Sequence, residues 1–124
     1  MTGSDFSRKS YIFALRIVKL TKWLQERNEY LLSKQILRSG TSIGALIREA
    51  EYAESDADYI HKLSIALKEA NETDYWLALL KDAEYITPQM HESINIDCKE
   101  LIKLLISSIK TLKLKKKNKI TTTR

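Results

Sequence analysis

Seven residues most constrain what this chain can fold into. Tyr59, Leu63, Ala66, Ala70, Thr73, Leu77 and Leu80 recur in alternating steps of four and three. A seven-residue repeat places all of them on one stripe of a helix. Ala66, Ala70 and Thr73 are small, so a neighbouring helix can approach closely there. Glu69, Glu72, Trp76 and Leu79 form an adjacent stripe. Ser55 and Asp58 fit a capping box, with a hydroxyl acceptor first and a carboxylate three residues on. A helix is therefore expected over about Asp56 to Tyr85.

The preceding stretch carries Ile36, Gly40, Ile43, Ile47 and Ala50 at the same spacing, a helix reaching from near Asn28 to Glu54. Asn28 suits its N-cap. Gly40 and Gly44 lie inside it, and each costs a helix interior about 1 kcal/mol relative to alanine. That cost points to a compensating contact. The phosphate-loop pattern is absent, because no strand precedes these glycines and no Lys-Ser/Thr pair follows. Gly40, Gly44, Ala66 and Ala70 are assigned to helix packing.

Two more helices complete the chain. The first runs from about Ser7 to Arg27, with Phe13, Ile17, Leu20 and Leu24 as its core stripe. Thr87-Pro88 marks the start of the last, threonine as N-cap and proline at the first helical position. It is expected to reach Leu112 on a stripe of Ile94, Cys98, Leu101, Leu105 and Leu112. Ile102, Leu104, Ile106 and Ile109 widen that stripe beyond an ordinary core face. A monomer would expose part of it and an oligomer would bury it. Only three glycines and one proline punctuate the sequence, which favours long helices.

A chain of 124 residues makes one domain with a real core. With 44% hydrophobic and 30% charged residues it has an ordinary soluble composition. A single cysteine excludes an internal disulfide framework. No apolar run approaches the roughly 20 residues of a membrane span, and the polar N-terminus lacks the core of a secretion signal. A cytoplasmic protein with no membrane partner is the expectation.

The net charge of +5 is the sum of opposed blocks. Residues 1–48 hold nine Lys/Arg against three Asp/Glu, residues 49–112 six against thirteen, and residues 113–124 six against none. Such blocks suit head-to-tail contacts between copies, or a polyanion partner for the basic parts. In the first helix Arg8, Lys9, Arg16, Lys19, Lys22 and Arg27 lie off the core stripe, with Ile12 and Trp23 among them. The plain reading is a solvated face on which Trp23 packs a neighbouring subunit. The sharper one is a groove holding phosphates while Trp23 stacks on a base. The segment from residue 113 onward is basic, expected to be disordered when free, and is either a solvated tail or a polyanion-binding arm. The candidate nucleic-acid contacts are thus Arg16, Lys19, Lys22, Trp23, Lys113, Lys115, Lys116, Lys117 and Lys119.

Catalysis finds little support. His61 and His91 stand apart, with no His/Cys/carboxylate cluster at ligand spacing. Cys98 falls on an apolar stripe, where an inert core thiol is the better reading. Glu69 and Glu72 share a face as in carboxylate-bridged metal bundles, but the Glu-x-x-His motif of those bundles is missing. Ion pairs with a neighbour are the expectation for them. No catalytic residue, metal ligand or cofactor is assigned.

Arg38-Ser39-Gly40-Thr41-Ser42-Ile43-Gly44-Ala45, Glu49-Ala50, Lys68-Glu69-Ala70, Glu72-Thr73 and Tyr75-Trp76-Leu77 resemble the four-helix-bundle protein family, also called the 23S rRNA intervening-sequence protein family. The likeness covers about residues 8–112 and includes polar and small positions as well as apolar ones. One departure is Leu46, where members often carry asparagine. The resemblance implies an all-α, antiparallel up-and-down four-helix bundle over residues 1–112, assembled into a homopentamer. It also links the chain to the similar accessory protein of diversity-generating retroelements, a basic pentamer that binds RNA and a reverse transcriptase. The expected function is that of a non-enzymatic oligomer holding RNA, DNA or a nucleic-acid enzyme on its basic surfaces. The alternative is a protein-interaction scaffold whose charge blocks serve subunit docking alone.

Overall fold

A computed structural model describes the backbone of residues 3–122 and the side chains of residues 5–118. Four helices follow one another: α1 (Gly3–Glu26), α2 (Leu31–Ala50), α3 (Asp56–Asp82) and α4 (Pro88–Thr122). Short connections force each helix to run back along its predecessor. Cross-helix pairs agree: α2 Glu49 meets α3 Lys62 and α1 Lys9 meets α4 Glu100. The result is an antiparallel up-and-down bundle in which α2 packs between α1 and α3, α3 packs on α4, and α1 and α4 close the bundle along a thinner seam.

The core follows the repeats. Leu63, Ala66, Ala70, Thr73, Leu77 and Leu80 are fully buried, as are Ile36, Ile43, Phe13, Ile17, Leu101 and Leu105. Phe6 and Ile86 are also core residues although neither lies on a stripe expected from the spacing. The wide face of α4 is mostly covered within the single chain: Ile109 is buried, Ile102 and Leu104 are half-buried, and only Ile106 is exposed. The expected open apolar surface therefore lies elsewhere. The exposed apolar residues cluster on α1, as Tyr11, Ile12 and Leu15, while α4 also exposes Ile96 and Leu114 far apart along its length.

The helix ends carry signals of two kinds. Ser55 accepts from the Asp58 backbone N–H at 3.1 Å, while the Asp58 carboxylate reaches back to the Glu54 N–H. Thr87 Oγ1 accepts from the Met90 N–H. Both caps match the sequence expectation. Asn28 does not cap α2. It sits in the left-handed region at φ 66° and ends α1, where the Glu29 N–H returns to the Leu24 carbonyl and the Asn28 N–H to that of Gln25. The N-cap of α2 is Tyr30, whose side chain makes no capping bond, and the residue before it supplies the acceptor: the Glu29 carboxylate accepts from the Ser33 N–H at 2.8 Å. Glu84 ends α3 in the same left-handed way.

The segment expected to be a disordered tail from residue 113 is helical as far as Thr122. Lysine propagates a helix nearly as well as leucine, no glycine or proline interrupts it, and cations suit a helix C-terminus. Repulsion between lysines a turn apart costs only a few tenths of a kcal/mol. From Lys113 to Asn118 every side chain is exposed, so α4 leaves the core as an arm.

Candidate nucleic-acid interface

The glycines do what their cost required. A Cβ on Gly40 would lie 2.7 Å from Ile17 Cγ1 and 2.9 Å from Cγ2, inside a fully buried, β-branched neighbour. At Gly44 it would meet the Ser10 carbonyl and hydroxyl at 3.3 Å, a tight but near-tolerable contact. Gly40 is thus the stricter position. Ala66 and Ala70 are fully buried on α3, and the Cys98 thiol of α4 donates to the Ala70 carbonyl at 3.5 Å.

Next to this packing a polar clasp joins α2 to α3. Arg38 bonds Glu69 at 2.7 Å and also Glu72, and the Trp76 indole N–H donates to Glu72 at 2.9 Å. Beneath it, in the core, the Ser39 and Thr73 hydroxyls meet at 2.9 Å, and the Thr73 hydroxyl also reaches the Glu69 carbonyl. The Trp76 hydrogen bond first, and Arg38 with it, hold the Glu72 carboxyl below its usual range despite desolvation. The ion pairs expected for Glu69 and Glu72 are therefore found, with Arg38 as the neighbour. Of the polar residues that carry the family resemblance, Arg38, Ser39, Glu69, Glu72, Thr73 and Trp76 form this internal joint.

The basic candidates fall into two groups at opposite ends. Arg16 is engaged: it donates to Asp97 at 2.7 Å and to the Ser93 carbonyl and hydroxyl, tying α1 to α4. Lys19 and Lys22 lie on the outer side of α1, both exposed. Trp23 packs half-buried against the core, and the Arg27 guanidinium lies 3.7 Å above its ring while donating to the Trp23 carbonyl. That stacking occupies a ring face that a base would use. Arg16, Lys19, Leu20, Trp23, Met90 and Ile94 line an open groove of about 580 Å³ on the α1–α4 seam. Its floor is apolar, and it gathers no pair of catalytic groups.

Lys113, Lys115, Lys116 and Lys117 lie on the arm, at the other end of α4 from Met90. At 1.5 Å per residue, about 28 Å of helix separates Ile94 at the groove from Lys113 on the arm. Lys113, Lys116 and Lys117 share one face of the helix and Lys115 lies off it, so the arm is cationic on several sides. The Lys119 side chain lies outside the described residues. The expected set is hence not one surface: α1 contributes Lys19 and Lys22 near one end, and the arm contributes the rest at the other.

Burial shifts two further titratable groups. Burial pushes the Cys98 thiol up to about 12, so it remains protonated and inert. Burial, and then Lys81, hold His91 below its usual value. Among the described residues no group of three His, Cys, Asp or Glu side chains is placed to hold a metal ion. Among them also, no helix is long and apolar enough to cross a membrane.

The comparisons with known proteins agree with the packing motif. The family model of the 23S rRNA-intervening sequence proteins matches residues 4–107. The crystal structure of a protein of unknown function from the S23 ribosomal protein family of Bacteroides thetaiotaomicron superposes with a TM-score of 0.86. It shares 62% identity over 89% of this chain and 99% of its own. A search of curated proteins gave no match. With the family model spanning nearly the whole bundle, and the Arg38–Glu69–Glu72–Trp76 joint accounting for much of the polar likeness, the chain belongs to the 23S rRNA-intervening sequence protein family.

Proposed function

We propose that this is a non-enzymatic, oligomeric bundle protein that holds RNA or DNA by its phosphates, chiefly through the α4 arm. The observation that carries this reading is the arm itself. Past Leu112 the helix leaves the core, and Lys113, Lys115, Lys116 and Lys117 are exposed on a segment with no acidic residue. A cationic rod without base-reading side chains releases counterions from any polyanion and selects no sequence. Repetition of the arm in a homo-oligomer lets weak contacts act together. The family resemblance implies five copies. A reverse transcriptase or other nucleic-acid enzyme is the protein partner that resemblance implies.

Removing residues 113–124 tests this by taking away six positive charges per chain. Helicity of the bundle and solution mass should persist. Affinity for single-stranded RNA, read by fluorescence anisotropy, should drop. The salt dependence should flatten by roughly 0.7 in logarithmic slope for each phosphate the arm had neutralised. Equal affinity with and without the arm would reduce it to a solvated tail. No binding by either form at physiological salt would leave the protein-interaction scaffold as the function.

A further inference from the structure

We infer that the outer stripe of α1 docks, head to tail, on the α2–α3 corner of a second copy of this chain; the inference rests on the oligomeric part of the function proposed above. The stripe is Arg8, Tyr11, Ile12, Leu15, Lys19 and Lys22, spaced so that all six share one outward face of α1. Tyr11 is 54% exposed and Ile12 and Leu15 are each 45% exposed, which makes an apolar centre flanked by cations. No acidic residue lies between Arg8 and Lys22.

The corner is its complement. From Glu49 to His61 the chain has no Lys or Arg. Glu49 pairs with Lys62 and Asp58 serves the α3 cap, while Glu51, Glu54 and Asp56 are exposed. Between them Tyr52 stands 83% exposed, an aromatic knob flanked along the chain by Glu51 and Glu54. Among the described residues, neither these three acids nor Arg8, Lys19 and Lys22 enter any ion pair found within the chain.

Charge complementarity selects the occupant. Two α1 stripes face to face would set cation against cation, and two corners would set acid against acid. Pairing stripe with corner neutralises both and covers Tyr11, Ile12 and Leu15 with Tyr52, the kind of aromatic anchor that dominates interfaces. The two surfaces differ, so the contact is heterologous, and successive copies close into a ring or continue as a filament.

Two double variants test it, Ile12→Ser with Leu15→Ser on the stripe and Tyr52→Lys with Glu54→Lys at the corner. Mass is read by light scattering and helicity by circular dichroism. Each variant alone should fall to the single-chain mass with unchanged helicity. An equimolar mixture should give a dimer and nothing larger, because one intact stripe then meets one intact corner. Should the stripe variant lose helicity, Lys19→Glu with Lys22→Glu replaces it, and must lower the mass at physiological salt. A wild-type chain at the single-chain mass overturns this inference together with the oligomer. A wild-type oligomer whose variants keep its mass overturns the inference alone. Variants that are each monomeric and stay monomeric when mixed overturn the head-to-tail pairing.

Discussion

Around α2 the helices meet through small residues and short bonds. Gly40 admits Ile17 from α1, the Ser39 hydroxyl meets that of Thr73 in the core, and Arg38 spans Glu69 and Glu72 just above. Where α1 meets α4 to close the bundle, long side chains do the joining: Arg16 reaches Asp97 and Ser93, and Lys9 reaches Glu100 at 3.6 Å. The seam they cross opens into the groove beside Trp23. A hydroxyl pair buried in low dielectric is costly to leave half-made, whereas exposed ion pairs are screened and worth little. One bundle thus combines a tightly joined half with a seam that opens at low cost. Local opening is expected first between α1 and α4.

The largest effect is expected at the glycines. Gly40→Ala places a methyl group 2.7 Å from Ile17 Cγ1, and Ile17 is fully buried and stiff at its branched carbon. Overpacking of this kind costs about 1–3 kcal/mol, more than the roughly 1 kcal/mol that alanine returns in helix propensity. Gly44→Ala meets Ser10 at 3.3 Å and should be close to neutral. Urea midpoints at constant slope measure both. A Gly40→Ala protein as stable as the wild type would remove the close approach from the account of α2.

Arg38→Ala against Arg16→Ala sets the two halves side by side. Glu69 is only 12% exposed in its side chain, so loss of Arg38 strands a carboxylate that water reaches poorly. A loss of about 1–2 kcal/mol is expected. The Arg16 pair is 35% and 42% exposed, and its loss should cost less than about 1 kcal/mol. The reverse order would mean that the closing seam, and not α2, holds the bundle together.

Much of this architecture is legible in the sequence. The four-three repeat on α3, the Ser55 and Thr87 caps and the core stripes of all four helices depend on local spacing, which sequence records directly. The fate of Arg16 is not legible, since its partner Asp97 lies 81 residues away and nothing near Arg16 announces it. Neither is the difference between Gly40 and Gly44, which turns on whether Ile17 or Ser10 faces the missing methyl. Glu84 in a left-handed conformation is invisible for another reason: glutamate has no preference for it, so its side chain does not mark the helix end. In the arm the run of like charge points to disorder, and the helix propensity of lysine outweighs it. The apolar centre on α1 is present in the sequence as Tyr11, Ile12 and Leu15. It stands out only because α4 covers most of its own wide face, which spacing alone does not reveal.

The smallest effect expected is one of pH, and it isolates the α2–α3 clasp. The Trp76 indole and then Arg38 hold the Glu72 carboxyl below its ordinary 4.5 in the folded chain. The unfolded chain therefore binds the proton more readily. The stabilisation is complete above about pH 4.5 and is lost as pH falls through the lower, folded value. His91 contributes a separate window. Burial lowers its folded value below the ordinary 6.5, so stability already declines as pH drops under 6.5 and the unfolded chain takes up a proton. A His91→Gln background removes that upper window. Thermal midpoints followed from pH 7 downward in this background should stay level to about pH 4.5 and then fall, and Glu72→Gln should flatten part of the fall. If Arg16→Ala flattened it equally and Glu72→Gln did not, the acid-sensitive joint would belong to the closing seam, and the contrast between the two halves of the bundle would be wrong.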